Sequence, residues 1–285
     1  MKFGCCIPGG SFMPQGVGEV DKSPFGALKN GCLAVFGTGF SFAEITVGLA
    51  MSMAADEIDR ARRENITIEA ANSFIPGSLP IIKGGEELEK YAAEAIRRIS
   101  LLGGKVIVFG SGGARRTPDG ISRGENYAAI KRFLAMCDGY CKKYGVKIAV
   151  EPLNSNETNI INSVAEGAAL VRDLNVDGYE NIGLLADSYH MCQQSEDGKK
   201  IDLNAGVLNE SCLSEIIDAA DLIIHTHIAE PKGRAYPGSD DGKYLVLFAD
   251  ALKKAGYGGN VSIECGFKDF LSEAAPGLDF MKRTF

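Results

Sequence analysis

Four short apolar runs in the second half of the sequence each end at ionisable side chains. These side chains are Glu151, Asp187, the histidines of His225-Thr226-His227, and Glu264. A single such glutamate is usually solvated or salt-bridged, and a single such histidine is usually a hydrogen-bonded core residue. Four groups together favour a shared cation, because a buried charge without a partner is costly. Three carboxylates and one imidazole form a mostly oxygen donor set, so we expect one divalent metal, with Mn²⁺ preferred and Mg²⁺, Co²⁺ or Zn²⁺ also compatible.

Eight apolar runs predict the strands that would hold these groups. The runs are Phe3–Ile7, Phe42–Val47, Ile66–Ala71, Val106–Phe109, Val146–Val150, Ile182–Ala186, Leu222–Ile228 and Val261–Ile263. Most are continuous rather than alternating, as in parallel strands that helices cover on both sides. The helical patterns between them include two capping-box starts, Ser122 with Glu125 and Ser163 with Glu166. This alternation favours one α/β domain over residues 1–285, a (β/α)8 TIM barrel, with a doubly wound open sheet as the alternative. In a barrel, the C-terminal strand ends face the active site, so the four groups would share one rim.

Composition limits the partners of the chain. The formal net charge of −7 over 285 residues disfavours general binding to nucleic acid. No stretch approaches the roughly 20 apolar residues of a membrane span, and the N-terminal apolar run is too short for a signal peptide. The eight cysteines are scattered and form no C-x-x-C pair, as is typical of reduced, cytoplasmic proteins. We therefore expect a cytoplasmic protein whose partner is a small molecule; no pattern specifies a homo-oligomer, although one is compatible with the sequence.

Four segments carry a resemblance to a known family. They read Glu-Pro-Leu-Asn-Ser-Asn-Glu from Glu151, Asp-Ser-Tyr-His from Asp187, His-Thr-His-Ile-Ala-Glu-Pro-Lys-Gly-Arg from His225, and Ile-Glu-Cys-Gly-Phe around Glu264. Together they resemble the sugar phosphate isomerase/epimerase superfamily of xylose-isomerase-like TIM barrels. The first two segments are most similar to ketose 3-epimerases, and the third is closer to the hydroxypyruvate isomerases.

The resemblance implies a role for each matching residue. It implies a metal held by Glu151, Asp187, His227 and Glu264. It implies that Glu151 and Glu264 also exchange the substrate proton. It further implies that the substrate is bound by Glu157, His190 and Arg234. Arg234 lies seven residues after His227, one more than in the 3-epimerase pattern.

The implied reaction is the isomerisation or epimerisation of a small ketose or related carbohydrate. Removing a proton beside a ketone gives an enediolate, whose charge a divalent cation and hydrogen-bond donors can stabilise. Two carboxylates flanking the substrate would give epimerisation, whereas one can suffice for aldose–ketose isomerisation, and the sequence leaves both open. An inosose-dehydratase-like lyase and a non-catalytic sugar-binding barrel are the alternatives. An apurinic-endonuclease-like barrel is disfavoured, because its three zinc ions need more than three histidines and its substrate needs a basic face.

A glycine-rich loop after the fourth run leaves a further question open. It reads Phe-Gly-Ser-Gly-Gly-Ala-Arg-Arg and ends at Arg115 and Arg116. It could bind an anionic substrate group through backbone N–H groups and guanidiniums, or it could be a tight turn with solvated arginines. Glu44 and Glu69, on early strands, are open between substrate contact and pairing with an arginine, and a structural role is favoured for Glu69.

Overall fold

The computed structural model describes residues 1–7, 21, 23–194 and 209–285, in which eight parallel strands close into a barrel in sequence order. The strands are β1 (Lys2–Cys6), β2 (Phe42–Thr46), β3 (Ala70–Asn72), β4 (Val106–Phe109), β5 (Lys147–Val150), β6 (Ile182–Asp187), β7 (Ile223–Ile228) and β8 (Asn260–Ile263). The pairing of β1 with β8 closes the sheet. The (β/α)8 TIM barrel expected from the sequence is confirmed.

Helices follow the strands; the longer ones cover the outside of the barrel, whereas α5 and α8 lie at its C-terminal rim. They are α1 (Pro24–Thr38), α2 (Val47–Ser52), α3 (Ala55–Arg63), α4 (Glu86–Leu101), α5 (Gly112–Arg115), α6 (Arg123–Tyr144), α7 (Val164–Val176), α8 (Ser188–Cys192), α9 (Ser214–Asp218), α10 (Lys243–Lys254) and α11 (Phe270–Thr284). Two 3₁₀ turns span Ile81–Lys83 and Glu210–Leu213. Both predicted helix starts are correct, since Ser122 and Ser163 accept hydrogen bonds from the backbone N–H groups of Glu125 and Glu166.

The continuous apolar runs follow from burial on both faces of the sheet. All four residues of β4 and all six of β6 are buried. Inside the barrel, a small cluster of apolar side chains fills the space between the strands, and it comprises Ala70, Val106, Val108, Ala149 and Leu185. A much larger core lies between the strands and the helices. This interior packing leaves the C-terminal rim as the place for polar chemistry.

One predicted strand begins too early. The run Ile66–Ala71 predicts a strand from residue 66, but β3 begins at Ala70. The N–H groups of Ile66 and Ile68 bond to carbonyls of the flanking helical segments, at Ala61 and Leu102, rather than to a neighbouring strand. Ile68 is therefore buried in the connection below the barrel, and its apolar character comes from that packing.

Among the residues that the structure describes, no helix combines the length and the apolar character that crossing a bilayer requires.

Candidate metal and substrate site

The four metal ligands implied by the resemblance converge at the C-terminal rim. Glu151 directly follows β5, Asp187 ends β6, His227 lies near the end of β7, and Glu264 directly follows β8. One ligand atom from each lies within 4.8 Å of the others. Four positions far apart in the sequence thus form one cluster, because adjacent parallel strands end at the same edge of the barrel.

The imidazole of His227 lies between two of the carboxylates. Its Nδ1 is 3.4 Å from Oε1 of Glu151 and 3.2 Å from Oε2 of Glu264. His227 is fully buried and Glu151 is nearly so. Within the described part of the chain, neither His227 Nδ1 nor Glu151 Oε1 has a hydrogen-bond partner, although both atoms are buried. Buried polar atoms of this kind are rare, and here they face one another across a gap that a cation would satisfy. The residues therefore fit a divalent metal.

Arg234 supplies a positive charge to the same cluster. Its Nη2 donates to Oδ2 of Asp187 at 3.1 Å and also to Oε2 of Glu264. The guanidinium lies 4.7 Å from the centre of the Tyr189 ring, which fixes its plane. Arg234 itself adopts a left-handed backbone conformation, with φ of 48°. Sparsely populated backbone conformations of this kind cluster at functional sites.

The local environment gives the three carboxyl groups different acidities. Burial raises the pKa of Asp187 to about 7, against the attraction of Arg234. Burial also raises the pKa of Glu151, and the neighbouring Glu264 adds to the shift. For Glu264, burial acts in the same direction, but His227 and Arg234 outweigh it and lower the pKa to about 2. The raised pKa values of Asp187 and Glu151 show that burial of neighbouring carboxylates disfavours their charged forms, an effect that a shared cation would offset.

His190 is oriented to donate a hydrogen bond into the cluster. Its Nδ1 accepts from the backbone N–H of Asn154 at 3.3 Å, so the proton of the neutral ring is on Nε2. Nε2 lies 3.5 Å from Oδ2 of Asp187 and 3.9 Å from Oε1 of Glu151. Burial lowers the pKa of His190, with Arg234 adding to the effect. The neutral form with Nε2–H is therefore the one that faces the site.

Glu157 lies at the edge of the same cavity. Its Oε1 accepts from the side-chain amide of Asn154 at 3.1 Å and is 3.9 Å from Nη1 of Arg234. Its side chain is 43% exposed, so it contacts the open part of the cavity, unlike the buried Glu151. The structure thus brings all seven residues named by the resemblance to one rim.

The cavity beside the cluster has a volume of about 480 Å³, which is large enough for a small carbohydrate. It is lined by Glu151, Glu157, His190, Arg234 and Glu264, by Thr46, Asn72 and Ser73, and by glycines of the β4 loop. Gly110 is required here, because a Cβ atom at this position would lie 2.3 Å from Oε2 of Glu151.

The glycine-rich loop is therefore a wall of the cavity, and its first arginine is not solvated. Arg115 is fully buried and donates to the carbonyls of Phe109 and Ile161, at 3.1 and 3.3 Å. Burial lowers its pKa to about 10. Arg116 is exposed and donates to the carbonyl of Asn156. The interpretation as a turn with solvated arginines is therefore wrong for Arg115, which is buried and uses Nη1 and Nη2 to donate to main-chain oxygens.

Two polar residues, Asn72 and Glu44, contact the ligands of the site although the sequence assigned neither of them a role there, whereas Glu69 lies elsewhere. Asn72 donates from Nδ2 to Oε1 of Glu264 at 3.2 Å. Glu44 is fully buried and contacts His225 and His227, so it pairs with histidines rather than with an arginine. The available signal was its position, since a carboxylate within the apolar run Phe42–Val47 needs a buried partner. Glu69 precedes β3 at the opposite end of the barrel from this rim.

Known proteins are similar to this chain in sequence and in fold. The family model described as xylose isomerase-like TIM barrel matches residues 35–284. A ketose 3-epimerase from Arthrobacter globiformis is 24% identical over 184 residues, which cover 65% of this chain and 56% of that protein. An L-ribulose 3-epimerase from Methylomonas sp. (strain DH-1) is 26% identical over 225 residues, covering 78% of this chain and 69% of that protein. A solved D-allulose 3-epimerase from Methylomonas sp., in complex with D-allulose, superposes with a TM-score of 0.75 at 19% identity and covers 100% of this chain and 97% of that chain.

The chain belongs to the family of xylose isomerase-like TIM barrels. The aligned region spans just over half the length of the Arthrobacter relative, and the solved structure shares the fold at low sequence identity.

Proposed function

We propose that this protein is a metal-dependent epimerase or isomerase that moves a proton beside the carbonyl group of a small ketose. One observation carries the proposal: Glu151 and Glu264 reach the same buried cluster from β5 and from β8, on either side of His227. A binding protein would need neither of two converging carboxylates, whereas proton removal and return needs both when the configuration of a carbon is inverted. The curated relatives named as 3-epimerases favour epimerisation over aldose–ketose isomerisation.

In this proposal, each residue of the rim has one task. Glu151, Asp187, His227 and Glu264 hold a divalent metal, for which the oxygen-rich donor set favours Mn²⁺ or Mg²⁺ over a sulfur-rich zinc site. When bound, such an ion acts as a Lewis acid toward the oxygens beside the reacting carbon. Glu151 and Glu264 exchange the carbon-bound proton. His190 Nε2–H and the Arg234 guanidinium donate hydrogen bonds to substrate oxygens, and Glu157 accepts one from a hydroxyl group.

The charges of the cavity support a neutral sugar rather than a phosphorylated one. Among the described residues that line it, the only guanidinium is that of Arg234, which already pairs with Asp187 and Glu264. Arg115 lies behind the wall and pairs with carbonyls. A phosphate dianion would meet carboxylates without a free cation, whereas hydroxyl groups match the available acceptors.

The state of the cysteines supports a reducing compartment. All eight are free thiols, and seven of them are buried. On this basis we propose a cytoplasmic location.

We also propose that the chain forms a single domain, because the strands of one barrel extend from Lys2 to Ile263.

Deuterium exchange tests the proposed function. The Mn²⁺-loaded protein is incubated in D₂O with a panel of free ketoses. Deuterium at carbon 3 with inversion supports 3-epimerisation, and deuterium at carbon 1 or 2 supports aldose–ketose isomerisation. Loss of one water from the product mass would instead indicate a lyase.

The first prediction concerns Glu264. Glu264→Gln keeps the size of the side chain but cannot accept a proton, so the exchange rate should fall at least about 10³-fold. The rate is measured by NMR in D₂O. Glu69→Gln is the matched control, since it removes one carboxylate at the other end of the barrel and should exchange at the wild-type rate. Exchange by Glu264→Gln at the wild-type rate would refute the two-carboxylate assignment.

A further inference from the structure

A second buried carboxylate holds the face of His227 that points away from the proposed metal site. Glu44, in β2, is fully buried. Its Oε1 lies 2.9 Å from Nε2 of His227, and its Oε2 lies 3.0 Å from Nε2 of His225. One carboxylate thus bridges two imidazoles, and it connects β2 to the opposite part of the barrel through the interior.

The chemistry of these groups fixes where the protons are. An ionised carboxylate only accepts hydrogen bonds, so Nε2 of both histidines must carry a proton. The neutral imidazole, which is the form that binds a metal, has a single N–H, so Nδ1 of His227 in that form keeps a free lone pair. This is the atom that lies 3.4 and 3.2 Å from Glu151 and Glu264, without a hydrogen-bond partner in the described residues.

We infer that Glu44 is a positioning residue, which fixes the tautomer and ring orientation of His227 so that Nδ1 is presented to the metal. His225 completes the arrangement, because its N–H takes the second oxygen of Glu44 and prevents the carboxylate from rotating. Outer carboxylates of this kind raise the basicity of a metal-bound histidine and set its orientation. The inference rests on the metal site of the proposed function, and it adds Glu44 as a residue on which the affinity of that site for the metal depends.

A second metal ion is the alternative use of the same residues. Cys6, Glu44 and His227 also bring ligand atoms within 4.8 Å of one another. However, both oxygens of Glu44 are at hydrogen-bond distance from N–H groups, and the Cys6 sulfur is 4.0 Å from His227 Nε2. An ion there would have to replace the Nε2 proton that Glu44 accepts, so the hydrogen-bonded arrangement accounts better for the geometry.

The wild-type protein can be tested directly. The chain has three histidines, so a long-range ¹H–¹⁵N spectrum of the Zn²⁺-loaded protein shows three ring systems. Zn²⁺ serves as a diamagnetic probe. The expected result is that His227 is protonated at Nε2 and metal-bound at Nδ1, with His225 protonated at Nε2. Protonation of His227 at Nδ1, or a metal at its Nε2, would overturn the inference.

Substitutions test whether Glu44 controls the affinity. Glu44→Leu removes both acceptors, and the Mn²⁺ dissociation constant, measured by EPR of the free ion, should rise about 10- to 100-fold. Glu44→Gln keeps one acceptor and should lie between the wild type and Glu44→Leu. Glu69→Gln again serves as the control and should bind Mn²⁺ as the wild type does. Circular dichroism shows whether each variant is folded, and the wild-type spectrum decides the question if they are not.

The outcomes separate this inference from the proposed function. If wild-type protein binds no Mn²⁺, the metal site itself is refuted. If it binds Mn²⁺ and folded Glu44→Leu binds equally well, only the role of Glu44 is refuted. Two ions per chain by native mass spectrometry, with a thiolate-to-cobalt absorption band in the Co²⁺ form, would show that Glu44 is a ligand of a second ion, which also overturns it.

Discussion

The loops after β4 and β7 each contain an arginine, but the two arginines point in opposite directions. Both loops contain glycine, follow a buried strand and border the cavity. In the β4 loop, Arg115 points into the protein and donates to two main-chain carbonyls. In the β7 loop, Arg234 points to the rim and donates to Asp187 and Glu264.

The difference shows that the role of each arginine, structural or functional, depends on the hydrogen-bond acceptors around its guanidinium. Carbonyl oxygens carry only partial charge, so Arg115 is a structural cation whose burial lowers its pKa. Carboxylates carry full charge, and although burial acts against it, Glu264 and Asp187 raise the pKa of Arg234. Substitution of the two arginines should therefore affect different quantities, namely stability for Arg115 and activity for Arg234.

Among the arginines, the largest effect is expected at Arg234. Arg234→Ala removes a charged donor from a buried site, and kcat/KM for the preferred ketose should fall about 10²- to 10³-fold. Arg234→Lys should recover little of this loss, because an ammonium group cannot reproduce the planar fork that contacts two carboxylates. Steady-state kinetics on metal-saturated protein measures both. If kcat/KM of Arg234→Ala stays within threefold of the wild-type value, Arg234 has no special role in activity and the proposed difference between the two arginines is refuted.

An intermediate effect is expected at Arg115, and it is on stability. Arg115→Met leaves the carbonyls of Phe109 and Ile161 with one donor fewer, at a cost of about 2 kcal/mol in the free energy of unfolding. The cost is limited because the substitution also removes a buried charge. Urea denaturation measures it, and kcat/KM should change less than tenfold. A selective loss of activity on phosphorylated sugars would show that this loop binds anions after all.

The smallest effect is expected for an arginine pair on the outside of the barrel. The Glu94 carboxylate accepts hydrogen bonds from Arg97 and Arg98 in α4. The side chain of Glu94 is 34% exposed, that of Arg97 is 40% exposed and that of Arg98 is 18% exposed. The pKa of Glu94 is lowered from 4.5 to about 2, and the hydrogen bond from Arg97 contributes most to this shift. Because this pKa is lowered on folding, the stabilisation is present above pH 4.5 and is lost as the pH falls toward 2.

Glu94→Gln should therefore destabilise the protein by less than about 1 kcal/mol at neutral pH, since exposed pairs are screened by solvent. The difference between wild type and variant should shrink in urea titrations at progressively lower pH. A difference that stays constant down to the acid end would assign the effect to packing rather than to charge.

The sequence predicts the barrel well because local signals agree with the global fold. The run Val106–Phe109 matches β4 at both ends, and Ser122 and Ser163 mark two helix starts correctly. The error at β3 has a physical cause, since Ile68 is as buried as a strand residue but lies in a connection. An apolar run reports burial, and burial alone does not distinguish a strand from a packed loop.

For the site, the sequence predicts positions at strand ends but not the partners of buried side chains. Glu151, Asp187, His227 and Glu264 follow or end strands, so a rule about barrel rims places them together. The pairing of Glu44 with two histidines joins residues more than 180 positions apart, and no spacing rule predicts it. Arg115 was ambiguous for the same reason, because its acceptors at Phe109 and Ile161 are set by the path of two loops.

The carbonyl oxygen of Ile161 connects the β4 loop to the segment that follows β5. Ile161 is a β-branched residue with a positive φ of 58°, and its carbonyl oxygen accepts both from the N–H of Leu153 and from Arg115. The positive φ of Ile161 has a conformational cost. The hydrogen bonds to its carbonyl connect the β4 loop, which forms a wall of the cavity, to the segment that follows Glu151. These hydrogen bonds hold the two segments together, so substitutions meant to widen the cavity for a bulkier sugar should leave Arg115 and Ile161 intact and alter the β2 or β3 connections instead.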